Sequence, residues 1–445
     1  MADSLPVSNR DNPAFVRHRR AASAPRAPLF DAIVFVAPLL SFVELNVIGR
    51  LYLTDFILVA LLPILLFRHG RRLTTKLPRT FIGLLLLWLF GQVVSDIFRG
   101  TDFKDYARGW AMIFFTLLNF CTLYLLCAGK GRRLVLFTTG AAFGQLAGYL
   151  ISPTAYSLGE PWKFGYGSGV SLLLVLCSIG MGQRLSSRAL PAAMLLFVAA
   201  LNIYMGYRSL GGIAFLAGCY TISQARHRLN SPAARARPRR IVALAVIAAV
   251  GTLGVLRSYE FAAQAGWLGA SAQQKYDMQA AGDYGLLIGG RSEIMVSMRA
   301  VVESPLIGHG SWARDCRYAA LYRELKTDAG YFVGGEADDC LIPTHSHVMG
   351  AWVQAGVLGA ILWMWVLMLP ARALAHLYRA YDPLTPLVAL IALLLFWDIL
   401  FSPFGGGRRF MTSFYIVLLM SYVPSGRSLP IYRSAPSAAP SAVVP

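Results

Sequence analysis

Two histidines stand two positions apart in Pro343-Thr344-His345-Ser346-His347, just ahead of a long apolar run. A neutral imidazole is suited to general-base work because its pKa lies near ambient pH. The same pair invites a metal reading, but zinc requires further ligands and only Asp338, Asp339 and Cys340 stand close in the chain, so no metal is expected. The plainer alternative is a histidine that caps or packs the entrance of the next helix. Two arginines carry the other half of a possible chemistry. Tyr207-Arg208-Ser209-Leu210-Gly211-Gly212 places Arg208 at the border of an apolar segment, where a guanidinium usually has an anionic partner or snorkels to water. Gly289-Gly290-Arg291-Ser292 opens an amphipathic stretch; glycines ahead of a helix let backbone N–H groups approach an anion, although such a pair also serves as a simple turn. Lys163, Arg408 and Arg409 lie in other connections and are read first as ordinary loop charges that add positive field.

The elements that must position these residues are membrane helices. Of 445 residues 56% are hydrophobic and 14% charged, with a mean hydropathy of +0.54, so water is not the main solvent. The formal charge of +19 falls in short clusters between apolar runs, which reads as topology and not as a nucleic-acid surface. Twelve segments approach the roughly 20 apolar residues a span needs: Phe30–Ile48, Leu51–Phe67, Phe81–Ile97, Trp110–Ala128, Leu134–Ile151, Val170–Gly182, Leu190–Tyr204, Leu210–Ser223, Ile241–Leu256, Val348–Leu369, Leu384–Phe401 and Phe410–Val423. With the N-terminus cytoplasmic, the inner loops hold most Lys and Arg, and the short outer loops hold only Arg50, Arg99, Lys104, Arg108, Lys163, Arg208, Arg408 and Arg409. Both termini are therefore expected inside a multi-pass inner membrane protein. The expected architecture is all-α, with a polar arm over 1–28, nine spans within 29–256, an outer loop domain over 257–346, three spans within 347–424 and a tail over 425–445. The polar, Arg-rich arm shows no signal-peptide core.

The outer loop carries half of the 22 acidic residues and is long enough to need helices of its own. Ser292 to Val302 places Ile294, Met295, Met298, Val301 and Val302 on one face, a pattern expected to lie along the membrane surface. Cys316 and Cys340 both lie in this loop, where an oxidising compartment favours a disulfide; two free thiols are the alternative. The other four cysteines sit in apolar runs.

Taken in order, these motifs resemble the superfamily of bacterial O-antigen ligases and O-antigen or exopolysaccharide polymerases. The likeness covers about Met205 to Gly359: the Arg-Ser-Leu-Gly stretch, Gly-Arg-Ser leading to Ser304-Pro305-Leu306-Ile307-Gly308-His309-Gly310, and Thr344-His345-Ser346 ahead of a Gly-Val-Leu-Gly run at Gly356. What the resemblance implies is a GT-C-like, cofactor-free and metal-independent inverting glycosyltransferase. It would take a glycan from undecaprenyl pyrophosphate and pass it to a hydroxyl of another glycan or of lipid A core on the periplasmic face. By position Arg208 and Arg291 would hold the pyrophosphate and His345 would activate the acceptor, while Arg408 and Arg409, read from their charge on an outer loop, would add to the pyrophosphate's binding. The family often shows His-Asn where this chain has His-Ser-His, which keeps His347 in play. A secondary transporter or flippase of lipid-linked saccharide is the rival reading, and a non-catalytic scaffold a weaker one. A transporter would show internal repeats and ionisable groups at the midplane, whereas Glu44, Asp55, Asp96 and Asp398 stand mostly toward segment ends and no repeat is visible.

Overall fold

A computed structural model describes residues 28–46, 49–230, 292–328, 340–380 and 382–424, with short pieces at 261, 264–266 and 273. The helices are α1 (Pro28–Leu39), α2 (Leu53–His69), α3 (Lys76–Arg99), α4 (Phe103–Cys127), α5 (Gly131–Ile151), α6 (Ala155–Gly159), α7 (Gly167–Arg184), α8 (Ala189–Tyr204), α9 (Arg208–Asn230), α10 (Ser292–Glu303), α11 (Cys316–Asp328), α12 (His347–Ala355), α13 (Val357–Val366), α14 (Met368–Arg379), α15 (Thr385–Phe401) and α16 (Gly406–Met420). Among the described residues, six stretches are helical, long and apolar enough to cross a bilayer: Leu53–Thr74, Lys76–Arg99, Phe103–Cys127, Gly131–Ile151, Pro161–Arg184 and Val357–Arg379. Three further apolar helices, α1, α8 and α15, are shorter. The expected ninth span, Ile241–Leu256, lies outside the described residues, as do the two terminal segments.

The first expected span does not run as one helix. Pro38 stands in the last turn of α1, and the chain then forms an antiparallel hairpin, β1 (Glu44–Asn46) with β2 (Arg50–Tyr52), pairing Glu44 with Tyr52. This hairpin is absent from the all-α expectation; three-residue strands carry too little alternation to be read from sequence. The expected span Val348–Leu369 is also broken. Gly356 adopts φ +63°, a backbone region closed to most side chains, and separates α12 from α13.

That break has a packing cause. A Cβ on Gly356 would run into the carbonyl of Leu306, and one on Gly308 (φ +82°) would meet the backbone of Val353, Gln354 and Gly356. Two glycines therefore let the 304–310 segment lie backbone to backbone against the end of α12. The His309 and Gly310 amides donate to the carbonyls of Val353 (2.7 Å) and Gln354 (3.0 Å), satisfying acceptors that the helix terminus leaves open. From the other side α3 clasps the same segment. Arg99 donates to the Gly308 carbonyl (2.9 Å) and to Ser304 Oγ (2.7 Å), and the Ser95 hydroxyl donates to the Ile307 carbonyl. Asp96 accepts from the Ser311 amide (2.6 Å), the Ser311 hydroxyl (2.8 Å) and Trp110 Nε1 (2.8 Å).

At the opposite end of the bundle the carbonyls closing α4 are met by cations. Arg72 donates to Ala128 O (2.7 Å), Lys130 to Leu126 O (3.1 Å) and Arg133 to Leu126 O (3.0 Å), while Arg133 also pairs with Asp31 (2.7 Å). Positive charge there complements the negative end of the helix. α10 packs on α12 and buries Val296, Ser297, Ala300 and Val301. Met295, Met298 and Val302, from the face read as membrane-facing, remain exposed.

Candidate functional site

The end of the bundle that carries α10 and α11 contains a cavity of about 1220 Å³. Its wall is assembled from parts remote in sequence: the β2 end (Arg50, Leu51), the first half of α4 (Lys104 to Phe115), Glu293 of α10, Trp312 and Ala313, Tyr322 of α11, the extended segment Leu341 to His345, the end of α12, and Pro403 to Arg409 leading into α16. Five cations line it, Arg50, Lys104, Arg108, Arg408 and Arg409. These are five of the eight basic residues that the charge pattern assigns to short outer loops. The rest of the wall is largely apolar, with Leu51, Met112, Phe115, Ile342, Val353 and Phe404.

His345 reaches this wall because both neighbours in the chain are tied down. Upstream, the Arg314–Leu341 bridge, the Ile342 amide on the Ala313 carbonyl (2.9 Å), the Asp315 amide on the Cys340 carbonyl (2.7 Å) and the Cys316–Cys340 disulfide fix the 340–342 strand against the start of α11. Downstream, Ser346 is the N-cap of α12; its hydroxyl accepts from the Met349 amide (3.2 Å) and donates to the Ile399 carbonyl (2.8 Å). Ser and Asn cap helices about equally well, so a serine after His345 preserves the local geometry that an asparagine would give.

His347 faces elsewhere. It is wholly buried, Nδ1 lies 2.6 Å from the Ser402 carbonyl, and its ring packs against Trp363 (4.8 Å) and Phe404 (5.0 Å), with Nε2 unpartnered among the described residues. The contact with a carbonyl requires the proton on Nδ1. Phe404 packs on His347 and also lines the cavity, which His347 does not, and the two histidines do not converge as a pair of ligands.

Glu293 lies beside His345 on the wall and interacts with it electrostatically. The Tyr322 hydroxyl donates to Glu293 (2.7 Å) and Lys326 pairs with it at 3.6 Å. Burial raises the Glu293 carboxyl, but the Tyr322 hydrogen bond, Lys326 and His345 outweigh it and hold the group below the ordinary glutamate value.

The cations differ in how far they are already neutralised. Arg409 is bound to Asp55 deep in the wall, Arg408 pairs through Nη1 with Asp398 (2.8 Å) while its side chain stays 47% exposed, and Arg108 meets Asp105 (3.6 Å). Lys104 has no ion pair among the described residues. Gly405, Gly406 and Gly407 bring the N-terminus of α16 to the same surface, adding backbone dipoles of the same sign. Arg208 begins α9 and is not part of the wall, although its neighbour Tyr207 lies within electrostatic reach of Arg408 and Asp398. Lys163 pairs with Glu160 (3.3 Å) away from the cavity. Arg291 lies outside the described residues.

The sequence marks Arg50, Lys104 and Arg108 only as outer-loop charges and gives Glu293, Tyr322 and the triple glycine no role at the site. Gly405-Gly406-Gly407-Arg408-Arg409 after a proline was the one signal available, since glycines and arginines at a helix start are an anion-binding pattern. No family model, curated protein or solved structure matches this chain.

Proposed function

We propose that the chain is a multi-pass glycosyltransferase of the O-antigen ligase or polymerase type, moving a glycan from undecaprenyl pyrophosphate to an acceptor hydroxyl. The cavity end would face the periplasm and both termini the cytoplasm, with twelve spans in all. The observation that carries the reading is one cavity in which an imidazole, five cations and an apolar wall meet. A diphosphate on a long lipid is the ligand class that uses both halves: guanidinium groups for phosphate oxygens, apolar surface for the first isoprene units.

In this reading His345 takes the proton of the acceptor hydroxyl as its oxygen attacks the anomeric carbon. The bond from that carbon to the diphosphate oxygen breaks, the electron pair leaves with the diphosphate, and the anomeric configuration inverts. Arg408 and Arg108, with Lys104, hold the charge that develops on the leaving group in a poorly hydrated site. In this reading the wall cations hold the diphosphate that the resemblance assigns to Arg208 and Arg291; Arg208 begins α9 outside the wall, and Arg291 lies outside the described residues. Glu293 steadies His345 and stabilises its protonated form.

The test is reconstitution into vesicles with an undecaprenyl-pyrophosphate-linked glycan in the presence of chelator. Release of carrier by wild type and its loss in His345→Ala supports transfer chemistry. Movement of intact donor across the bilayer without cleavage overturns it in favour of a flippase. In a deletion strain, single repeats on the core indicate a lost polymerase, and absence of any capped core a lost ligase.

A further inference from the structure

Trp312 has φ +50°, a left-handed backbone conformation that is a clear outlier for a bulky aromatic residue. Strain of this kind persists where the surroundings dictate it. They do so here on both sides. The Ser311 amide and hydroxyl are held by Asp96, and the same hydroxyl accepts from Gln92 Nε2 (2.8 Å). The Ala313 carbonyl accepts from Ile342, and Arg314 bridges to Leu341. Ser311 and Ala313 are buried, while the indole between them is turned outward and stays 40% exposed.

The indole therefore adds little to the core, and it lies on the cavity wall with the Arg108 guanidinium 5.4 Å from its ring centre. Arg108 lies over one face of the ring, and the exposed remainder of Trp312 leaves aromatic surface for a ligand next to a cation assigned above to phosphate. The C–H face of a pyranose stacks on indole, and the phosphate on that sugar's anomeric carbon then falls near the arginine. We propose that Trp312 is the stacking platform for the phosphate-linked sugar ring, a saccharide subsite distinct from the phosphate contacts. This rests on the glycosyltransferase reading above and adds which residue senses the sugar. The competing use of an exposed tryptophan, an anchor at the membrane interface, predicts no dependence on saccharide.

The experiment compares binding of undecaprenyl pyrophosphate with that of undecaprenyl pyrophosphate carrying the glycan extracted from the source cells, on the full chain in nanodiscs. Wild type is expected to bind the glycan-bearing lipid about tenfold more tightly than the bare one, a margin worth about 1.4 kcal/mol. Trp312→Asn is chosen because asparagine tolerates the left-handed backbone, so the fold is kept. It should bind the bare lipid as wild type does and lose the margin; Trp312→Tyr should keep most of it. A margin that survives in Trp312→Asn, or is missing in wild type, overturns the saccharide subsite. Failure of wild type to bind even the bare diphosphate lipid overturns the underlying functional reading as well.

Discussion

The Arg409 guanidinium is paired with the Asp55 carboxylate where the two side chains are only 3% and 1% exposed. Asp55 also accepts from the Tyr52 amide (3.0 Å) and Asn119 Nδ2 (2.9 Å), and Arg409 lies over the Phe115 ring at 5.1 Å. The pair joins α2, α4 and α16 at the cavity floor. Its charge is spent on the fold, whereas the guanidinium of Arg408, next in the chain, pairs with Asp398 through Nη1 and stays 47% exposed. Asp55→Ala leaves a buried cation unpaired and is expected to cost about 3–5 kcal/mol. Thermal unfolding in detergent measures this; a loss below about 1 kcal/mol contradicts the buried pairing. Arg408→Ala strips the largely buried Asp398 of its partner and should lower stability too; at temperatures where it stays folded it should bind undecaprenyl pyrophosphate about 10- to 100-fold more weakly, the size of a lost charged hydrogen bond.

The two histidines should separate cleanly. His345→Ala is expected to retain the wild-type unfolding temperature and lose transfer by roughly 100- to 10,000-fold, the usual share of a general base. His347→Ala removes a ring packed between Trp363 and Phe404 and should destabilise by about 2–4 kcal/mol. Parallel unfolding and turnover measurements distinguish them, and the opposite pattern overturns the assignment.

Acid sensitivity should trace in part to Glu293. Its folded carboxyl lies below the ordinary glutamate value, so it titrates lower when folded than when unfolded. Its contribution to stability is therefore complete above the unfolded value of about 4.3 and is lost as pH falls through the folded one. Glu293→Gln should lie below wild type in stability at pH 7, and the gap should narrow as pH falls below the unfolded value of about 4.3. A gap that persists undiminished at pH 3 contradicts a charge-based role.

The disulfide should matter for activity beyond its effect on stability. Cys316 and Cys340 are 24 positions apart, and closing a loop of that size is worth about 3–4 kcal/mol in the chain-entropy view. The bridge also anchors the strand that ends in His345. Cys316→Ser/Cys340→Ser is expected to lower the unfolding temperature and, at temperatures where the protein stays folded, to slow transfer severalfold. Unchanged turnover in the reduced or doubly substituted protein rules out the positioning role.

Helix positions were legible because long apolar runs leave few alternatives, and α3, α4 and α5 fall close to where hydropathy places them. The break at Gly356 was not, since its cause is a backbone contact with Gly308 across 48 positions of chain. Asp96 read as a charge near a span end; its role as acceptor for Ser311 depends on a loop more than 200 residues away. The same limit explains the site. His345 stood out by type, but the cations around it looked like unrelated loop charges until α4, β2 and α16 brought them to one wall. His345 and His347 were equivalent by residue type, with only position in the resemblance favouring His345; the structure separates them, placing His345 on the cavity wall and His347 among Ser402, Trp363 and Phe404.

The most direct measurement is single-turnover transfer in vesicles, with saturating undecaprenyl-pyrophosphate-linked glycan and acceptor, comparing wild type with His345→Ala and Arg408→Ala. Wild type should release free undecaprenyl pyrophosphate in step with glycan appearing on the acceptor. His345→Ala should bind donor normally yet release almost none, and Arg408→Ala should bind poorly. If His345→Ala turns over at the wild-type rate, the basic cavity is not where glycan transfer occurs.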